Sequence, residues 1–162
     1  VGLHKGKVRL GTVGESGRMD STVISDTVNL ASRIEGLTKF YGVQCLASES
    51  IYHSLSNPGE YQIRFVDKVK VKGKQVPVDL YEMFSANPAI VRERKRQTRH
   101  AFEEATRLFS VREFAKAKAA FEKVLEDLPG DKASISYIQR CERYMHEDLP
   151  ESWDGALNFD FK

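Results

Sequence analysis

The 162-residue sequence predicts an α+β fold for its first half, followed by a small all-α region built around a helical hairpin. From Val1 to Phe84, short stretches that alternate apolar and polar residues are interleaved with stretches of helical periodicity. After "SANPAI" the composition shifts, and from Val91 onward the helical period continues with few β-branched residues. These observations predict two parts, 1–86 and 87–162.

Composition excludes several classes of partner. With 41% hydrophobic and 30% charged residues, the chain is typical of globular domains, and no apolar run is long enough to cross a bilayer. Its 25 basic and 23 acidic residues are too balanced to indicate a nucleic acid or a membrane surface as partner. Cys45 and Cys141 lack a CxxC spacing, which favours reduced thiols. Reduced thiols in turn predict a cytoplasmic location, either for the protein as a whole or for the cytosolic part of a larger or membrane-anchored protein.

The first elements are predicted as two strands and a helix. "KVRLGTVG" and "STVI" have strand character and flank a turn rich in Gly and Ser. Ser25 or Asp26 caps the helix that follows, which ends near Tyr41 with Gly42 as its C-cap. The residues expected on the buried side of this helix are Val28, Leu30, Ala31, Ile34 and Leu37.

The rest of the first part is predicted as a strand, a short helix and a hairpin. "VQCLA" predicts a buried strand, "SESIYHSL" a helix capped by Ser48, and "NPGEY" a turn. "YQIRFVDKVKVKGKQVPVDLYEMF" alternates as two arms that meet around residues 73–75. Pro77 has no backbone amide hydrogen, so the returning arm that contains it is predicted to lack one hydrogen bond of the strand ladder.

Three helices are predicted in the second part, at about 92–109, 112–128 and 132–147. Their small and large residues resemble one tetratricopeptide repeat plus the first helix of another, a protein-binding arrangement; an ordinary helical hairpin is the alternative. The basic run "RERKRQTRH" predicts a solvated helix face. Trp153 is expected to anchor the last segment in a groove, the alternative being a frayed end.

Asn29 and Arg33 stand four positions apart in "SDTVNLASR" and therefore share one side of the predicted helix. An amide and a guanidinium placed together can both reach one small target and suit a phosphate. Taken alone, Arg33 is better interpreted as part of a surface salt bridge, and Asn29 as making a local hydrogen bond to the backbone.

In order along the chain, "GLHKG", "VRLGTVG", "SDTVNLASR" and "VKGKQVPVDLYE" resemble motifs of the class III nucleotide cyclase catalytic domain. The resemblance covers roughly the first half of the chain and implies the C-terminal half of that ferredoxin-like domain, of bacterial type. It departs from the family at Lys5, where Thr or Ser is common, and at Ser25, where Gly is common. The implied reaction converts ATP to 3′,5′-cyclic AMP and pyrophosphate at the interface of a homodimer.

The resemblance also implies roles for single residues. Asn29 and Arg33 match the pair that stabilises the transition state of 3′-hydroxyl attack on the α-phosphate. Lys72 matches the lysine that binds the triphosphate, and Arg18 lies near a phosphate-contacting position in a loop of variable length. Thr22 stands at a base-reading position and favours ATP over GTP. The alternatives are an edge-strand lysine, a solvated turn arginine and an ordinary strand residue.

The family reaction uses two Mg²⁺ (or Mn²⁺) ions, and the resemblance places both metal-binding aspartates on strands before "GLHKG". We therefore expect no metal ligand in this chain, no activity of the chain alone, and self-association or a domain swap. Two alternatives remain: a non-catalytic cyclase-like regulatory or scaffold domain whose helices bind a protein partner, and a guanylate cyclase.

Overall fold

A computed structural model describes residues 1–13, 20–24, 26–71 and 76–159, with only the backbone described for 9–13 and 20–24. Its elements confirm the α+β class and the three helices of the second part. In chain order they are β1 (Gly2–Leu3), β2 (Arg9–Val13), β3 (Asp20–Ile24), α1 (Asp26–Tyr41), β4 (Leu46–Ser48), α2 (Glu49–Tyr52), β5 (Ile63–Val71), β6 (Val78–Met83), α3 (Ala89–Ser110), α4 (Phe114–Asp127), α5 (Lys132–Tyr144) and β7 (Leu157–Phe159). A short 3-10 turn at Pro58–Glu60 occupies the turn predicted there.

One five-stranded sheet, in the order β1-β4-β6-β5-β7, forms the centre of the fold. β4, β6 and β5 are antiparallel neighbours, whereas β1 and β7 run parallel to β4 and β5 at the two edges. The two arms of the predicted hairpin are confirmed as β5 and β6, with a register shift between Phe65 and Asp67, whereas residues 73–75, where the arms were expected to meet, lie outside the described residues. β2 and β3 form a separate antiparallel ribbon.

α1 is a helix because its large apolar residues recur every three or four positions. Leu30, Ile34, Leu37 and Tyr41 are all buried, which places one stripe of the helix against the sheet. Val28 was expected on this buried side, but it is 43% exposed. That expectation was wrong because two residues of α-helix turn a side chain through roughly 200°.

The end of α1 has the predicted glycine cap. Gly42 has a φ of 64°, the left-handed conformation that glycine adopts without a steric penalty. The Val43 amide donates to the Thr38 carbonyl at 3.0 Å and the Gly42 amide to the Lys39 carbonyl at 3.3 Å. These two bonds form a Schellman motif, which stops the helix and turns the chain toward β4.

Ser48 precedes α2, as predicted, but makes no side-chain capping bond. Its hydroxyl oxygen instead lies 2.8 Å from His4 Nδ1 and 2.8 Å from the Ser50 hydroxyl. This short polar cluster ties the chain just after β1 to the end of β4.

The helices of the second part pack in sequence, α3 on α4 and α4 on α5. Phe121 of α4 lies between its neighbours, with ring centroids 5.4 Å from Phe102 and 4.6 Å from Tyr137. The apolar cluster around these rings is continuous with the one formed by α1 and the sheet. The division at residue 86 stays a prediction, and the two parts share one core. Within the described residues, we find no helix with the length and apolar character needed to span a membrane.

Candidate functional site

Asn29 and Arg33 lie on α1 outside its buried stripe. Asn29 is exposed and Arg33 is half-buried, while Leu30 and Ile34 beside them point into the core. The helix thus presents both polar side chains away from its packed face, as their spacing predicts.

The glycine at the start of "GLHKG" allows a very close approach of β1 to α1. A Cβ atom at Gly2 would lie 2.3 Å from the Glu35 amide nitrogen and 2.5 Å from the Ala31 carbonyl oxygen. Both are backbone atoms of α1 and cannot rotate away. Gly2 therefore sets the distance between β1 and the middle of α1, directly behind Arg33.

The second glycine of the motif, Gly6, lies against the first turn of α1. A Cβ atom there would lie 2.6 Å from the Thr27 hydroxyl oxygen. That hydroxyl donates to the Lys7 carbonyl at 2.7 Å. The segment after β1 thus contacts α1 two residues before Asn29, so the motif fixes the N-terminal half of the helix.

The other end of α1 is held by a buried carboxylate on β5. Asp67 is fully buried and accepts hydrogen bonds from the Tyr41 hydroxyl at 2.8 Å and the Tyr137 hydroxyl at 2.9 Å. Arg140 of α5 forms an ion pair with it at 2.8 Å, and the Lys68 amide donates at 2.8 Å. Asp67 therefore joins α1, β5 and α5 at one point.

Burial and the Asp67 charge determine the protonation of this cluster. Burial, and then the adjacent carboxylate, raise the pKa of Tyr41 and of Tyr137, which keeps both hydroxyls as donors. Burial alone would lower the pKa of Arg140, but Asp67 together with Tyr137 and Tyr41 outweighs burial and raises that pKa. The Arg140 guanidinium also lies over the Tyr137 ring at 4.1 Å, a cation–π contact.

A second buried cluster crosses from the sheet to the helices. Arg64 of β5 donates to Glu82 of β6 at 2.8 Å and to Asp131 at 2.5 Å. Lys95 of α3 pairs with the same Glu82 and donates to the Asn87 side chain at 2.8 Å. Lys95 is only 6% exposed, so the predicted solvated face of the basic run is wrong at this residue. The buried Glu82 carboxylate supplies the partner that makes this burial possible.

Asp131 links this second cluster to the start of α5. Its side chain accepts from the Ser134 amide at 3.1 Å and from the Ser134 hydroxyl at 2.7 Å, which caps the helix. Burial alone would raise the pKa of Asp131, but the Arg64 guanidinium holds it below its ordinary value. Asp131 is therefore a carboxylate that both begins α5 and neutralises Arg64.

For the other predicted site residues, Arg18, Thr22 and Lys72, the side chains lie outside the described part of the chain. The backbone of Thr22 pairs with Gly11 in the β2–β3 ribbon, but its side chain lies outside the described residues. Arg18 and Lys72 lie wholly outside them, as does Ser25, one of the two residues predicted to cap α1. Lys72 directly follows Val71, the last residue of β5, in the sequence.

The described residues do not fit a two-metal centre. Nowhere among them do three His, Cys, Asp or Glu side chains come together as a metal site would require. The buried carboxylates of Asp67, Glu82 and Asp131 are paired with arginine or lysine. No chemical step is therefore assigned to a metal held by this part of the chain.

Sequence reasoning missed both buried clusters, although a signal was present. Arg64 and Glu82 stand between apolar or aromatic residues in their strands, and Asp67 follows the buried Val66 in β5. On α5, Arg140 follows Tyr137 by three positions, on the stripe that the sequence marks as buried. A charge on an apolar stripe indicates a buried partner of opposite sign elsewhere in the chain.

Comparison with known proteins agrees with the predicted family. The family model for the adenylate and guanylate cyclase catalytic domain matches residues 1–85. An adenylate cyclase of Anabaena cylindrica is 54% identical over 84 residues, which are 51% of this chain and 17% of that protein. A terminal-differentiation-specific adenylate cyclase of Dictyostelium discoideum is 34% identical over 142 residues, 87% of this chain and 7% of that protein.

The chain spans less than a fifth of the length of these two relatives. The Dictyostelium match is longer than the first part of the chain and therefore extends into its helices. Among solved structures, a bacterial light-regulated adenylyl cyclase aligns with a TM-score of 0.44 and 24% identity, over 54% of this chain and 24% of that one.

Proposed function

The chain belongs to the family of adenylate and guanylate cyclase catalytic domains, and on that premise we propose that it supplies the transition-state half of an adenylate cyclase active site. The observation that carries the proposal is the placement of Asn29 and Arg33 together on the unburied side of α1, within the matched residues. The proposed reaction forms 3′,5′-cyclic AMP and pyrophosphate from ATP.

In this reaction the ribose 3′-oxygen forms a bond to the α-phosphorus while the bond from that phosphorus to the pyrophosphate oxygen breaks. The 3′-hydroxyl proton leaves to a base or to water. Negative charge grows on the nonbridging oxygens during the step, and the Arg33 guanidinium and the Asn29 amide donate hydrogen bonds to them. A helix held at its middle against Gly2 and at its C-terminal end through Tyr41 keeps these donors in place before the reaction starts.

We assign nucleotide binding to three further residues. Lys72 binds the triphosphate, Arg18 contacts a phosphate oxygen, and Thr22 reads the base in favour of adenine. Support for Lys72 comes from its place directly after β5, a strand joined to α1 by Asp67 and Tyr41. The names of the relatives support ATP over GTP as substrate.

The complete site is proposed to form between two copies of the chain and to use Mg²⁺ or Mn²⁺, with ligands outside the described residues of this chain. The proposed location is the cytoplasm, where ATP is abundant. A metal held by such ligands would supply positive charge near the phosphates and the attacking oxygen. What this chain contributes is the position of its donors.

For the helices we keep the tetratricopeptide-like arrangement and a protein partner as a proposal. The successive packing of α3, α4 and α5 supports it. Part of α5 is unavailable to a partner, because Tyr137 and Arg140 are committed to Asp67 of the sheet. A partner would therefore contact the remaining exposed faces, and a non-catalytic scaffold is the alternative function.

Complementation tests the proposal. This chain, or a longer form of the protein with its metal-binding aspartates substituted, is mixed with a longer form carrying Asn29→Ala and Arg33→Ala, and cyclic AMP formed from ATP and Mg²⁺ is measured. We expect activity in the mixture and little in either component alone. The matched control, Ser32→Ala with Lys39→Ala, removes two exposed polar side chains from the same helix and should leave the activity unchanged. An inactive mixture whose components demonstrably associate would favour the scaffold.

A further inference from the structure

Residues 149–159, called the strap below, run from the end of the helical part back to the sheet. The strap ends in β7, which pairs in parallel with the last residues of β5. Val69 is opposite Leu157, Lys70 opposite Asn158 and Val71 opposite Phe159. β7 is the edge strand of the sheet beside β5.

The strap is anchored in the helical part by Trp153. The centroid of the Trp153 ring lies 5.5 Å from that of Phe109, 5.6 Å from Phe114 and 5.5 Å from Tyr144. These aromatic neighbours come from three different helices, so the ring fixes the strap to the helical part as a whole.

Arg112, between α3 and α4, holds the beginning of the strap. Its φ of 64° is unusual for a residue with a side chain. Its guanidinium donates to the carbonyl oxygens of Pro150 at 2.6 Å and Glu151 at 3.3 Å, and lies 5.4 Å from the Trp153 ring. These three contacts fix the beginning of the strap against the connection between α3 and α4.

The second half of the strap, from Asp154 onward, contacts α1 and β5. The Phe159 ring lies edge-on to that of Phe40 of α1, with centroids 4.7 Å apart. Asp154 forms an ion pair with Lys70 of β5 at 2.7 Å. The strap therefore spans the last turn of α1 and the final residues of β5.

We propose that the strap is a positioning element of the nucleotide site, an inference that rests on the proposed function. It holds the end of β5, which Lys72 follows in the sequence, in fixed relation to α1, which carries the Asn29–Arg33 pair. Without β7, the outer hydrogen-bonding groups of Val69–Val71 would face water, and the end of β5 would open more often. The strap thus sets the affinity for ATP more than the chemical step.

A pair of matched double variants tests this. Leu157→Pro with Asn158→Pro is compared with Leu157→Ala with Asn158→Ala. Successive strand amides point to opposite sides, so one of the two consecutive prolines must remove a hydrogen that faces β5, whereas the alanines keep both. The loss of the leucine side chain is common to both variants.

Hydrogen exchange of the Val69–Val71 amides is measured on each variant without nucleotide, and KM and kcat for ATP are measured in the complementation mixture. We expect exchange to be faster in the proline pair than in the alanine pair by about tenfold or more, and KM to rise more than kcat falls. Equal exchange rates and equal KM values in the two pairs would overturn the proposal.

Two outcomes need separate treatment. If the unsubstituted chain also gives no cyclic AMP in the mixture, the proposed function has failed, and exchange alone then decides whether the strap holds β5. If the proline pair does not fold, Phe159→Ala and Phe159→Leu replace it. We expect Phe159→Ala to raise KM and Phe159→Leu to keep KM near that of the unsubstituted chain. Identical KM values for the two variants would contradict the proposal.

Discussion

Among the described glycines, Gly2 has the least room for a side chain. It lies where β1 meets α1, and the atoms that a side chain would strike belong to the helix backbone. A flexible neighbour could move aside, but a helix backbone moves only as a unit. The position of the Asn29–Arg33 pair is therefore set partly by the absence of a side chain at Gly2.

Gly2→Ala should lower the free energy of unfolding by about 1–3 kcal/mol, because α1 must shift away from β1 to admit the methyl group. Urea denaturation measures this change. Gly59→Ala is the matched control, since a Cβ atom at Gly59 would meet no atom within 4 Å. Equal stability losses in the two variants would show that the contact at Gly2 is not the cause.

Tyr41 and Tyr137 predict a specific response to alkali. Burial raises the pKa of both hydroxyls in the folded state above the ordinary tyrosine pKa of 10.0. The stability that they contribute is therefore complete below pH 10.0 and is lost as the pH rises toward their pKa in the folded state. Above about pH 10, the free energy of unfolding should fall by ~1.4 kcal/mol per pH unit for each of the two.

Tyr41→Phe with Tyr137→Phe should therefore flatten this alkaline loss of stability, measured as urea unfolding between pH 8 and about pH 11. Tyr61→Phe serves as control because Tyr61 is 42% exposed. A slope unchanged from that of the unsubstituted chain would mean that the two buried hydroxyls ionise normally.

Among the elements, α1 shows how much of the structure the local sequence predicts. Its apolar period, its glycine cap and its Asn–Arg spacing are local features, and the helix and its cap were predicted correctly from them. The β5–β6 hairpin was predicted for the same reason, because alternation and a Gly-containing turn lie within one short stretch. For Arg18, Thr22 and Lys72, the side chains lie outside the described residues, and their roles stay predictions.

β7 and Lys95 show what the sequence could not indicate. β7 has three residues and no alternation of its own, since it exists by pairing with β5 more than eighty residues earlier. Lys95 lies in a run of basic residues, and only Glu82 on β6 distinguishes it from its solvated neighbours. Both depend on partners distant in sequence, which local periodicity does not contain.

For the whole molecule, the buried charges join the two predicted parts. The strands contribute one basic and two acidic residues, and the helical part contributes two basic and one acidic, so the six charges balance only together. They are Arg64, Asp67, Glu82, Lys95, Asp131 and Arg140. Removal of the helices would leave Asp67 without its cation, so the helical part belongs to the structural support of α1 and β5.

Asp67→Asn tests this support most directly. It leaves Arg140, 5% exposed, without an anion, and breaking a buried pair in this way should cost about 3–5 kcal/mol in the free energy of unfolding. Adding Arg140→Met removes the stranded charge and should recover a substantial part of the loss, because an apolar side chain needs no counter-ion. Urea denaturation of the two single variants and the double variant gives the coupling energy.

The exposed pair Glu93–Arg96 on α3, with side chains 48% and 62% accessible, provides the matched comparison. Glu93→Gln should change stability little, since water already solvates both charges. If Asp67→Asn is no more costly than Glu93→Gln, or if Arg140→Met recovers nothing, the buried charges do not join the two parts. A strong coupling would instead mean that the sheet and the helical part stabilise each other through the Asp67–Arg140 pair.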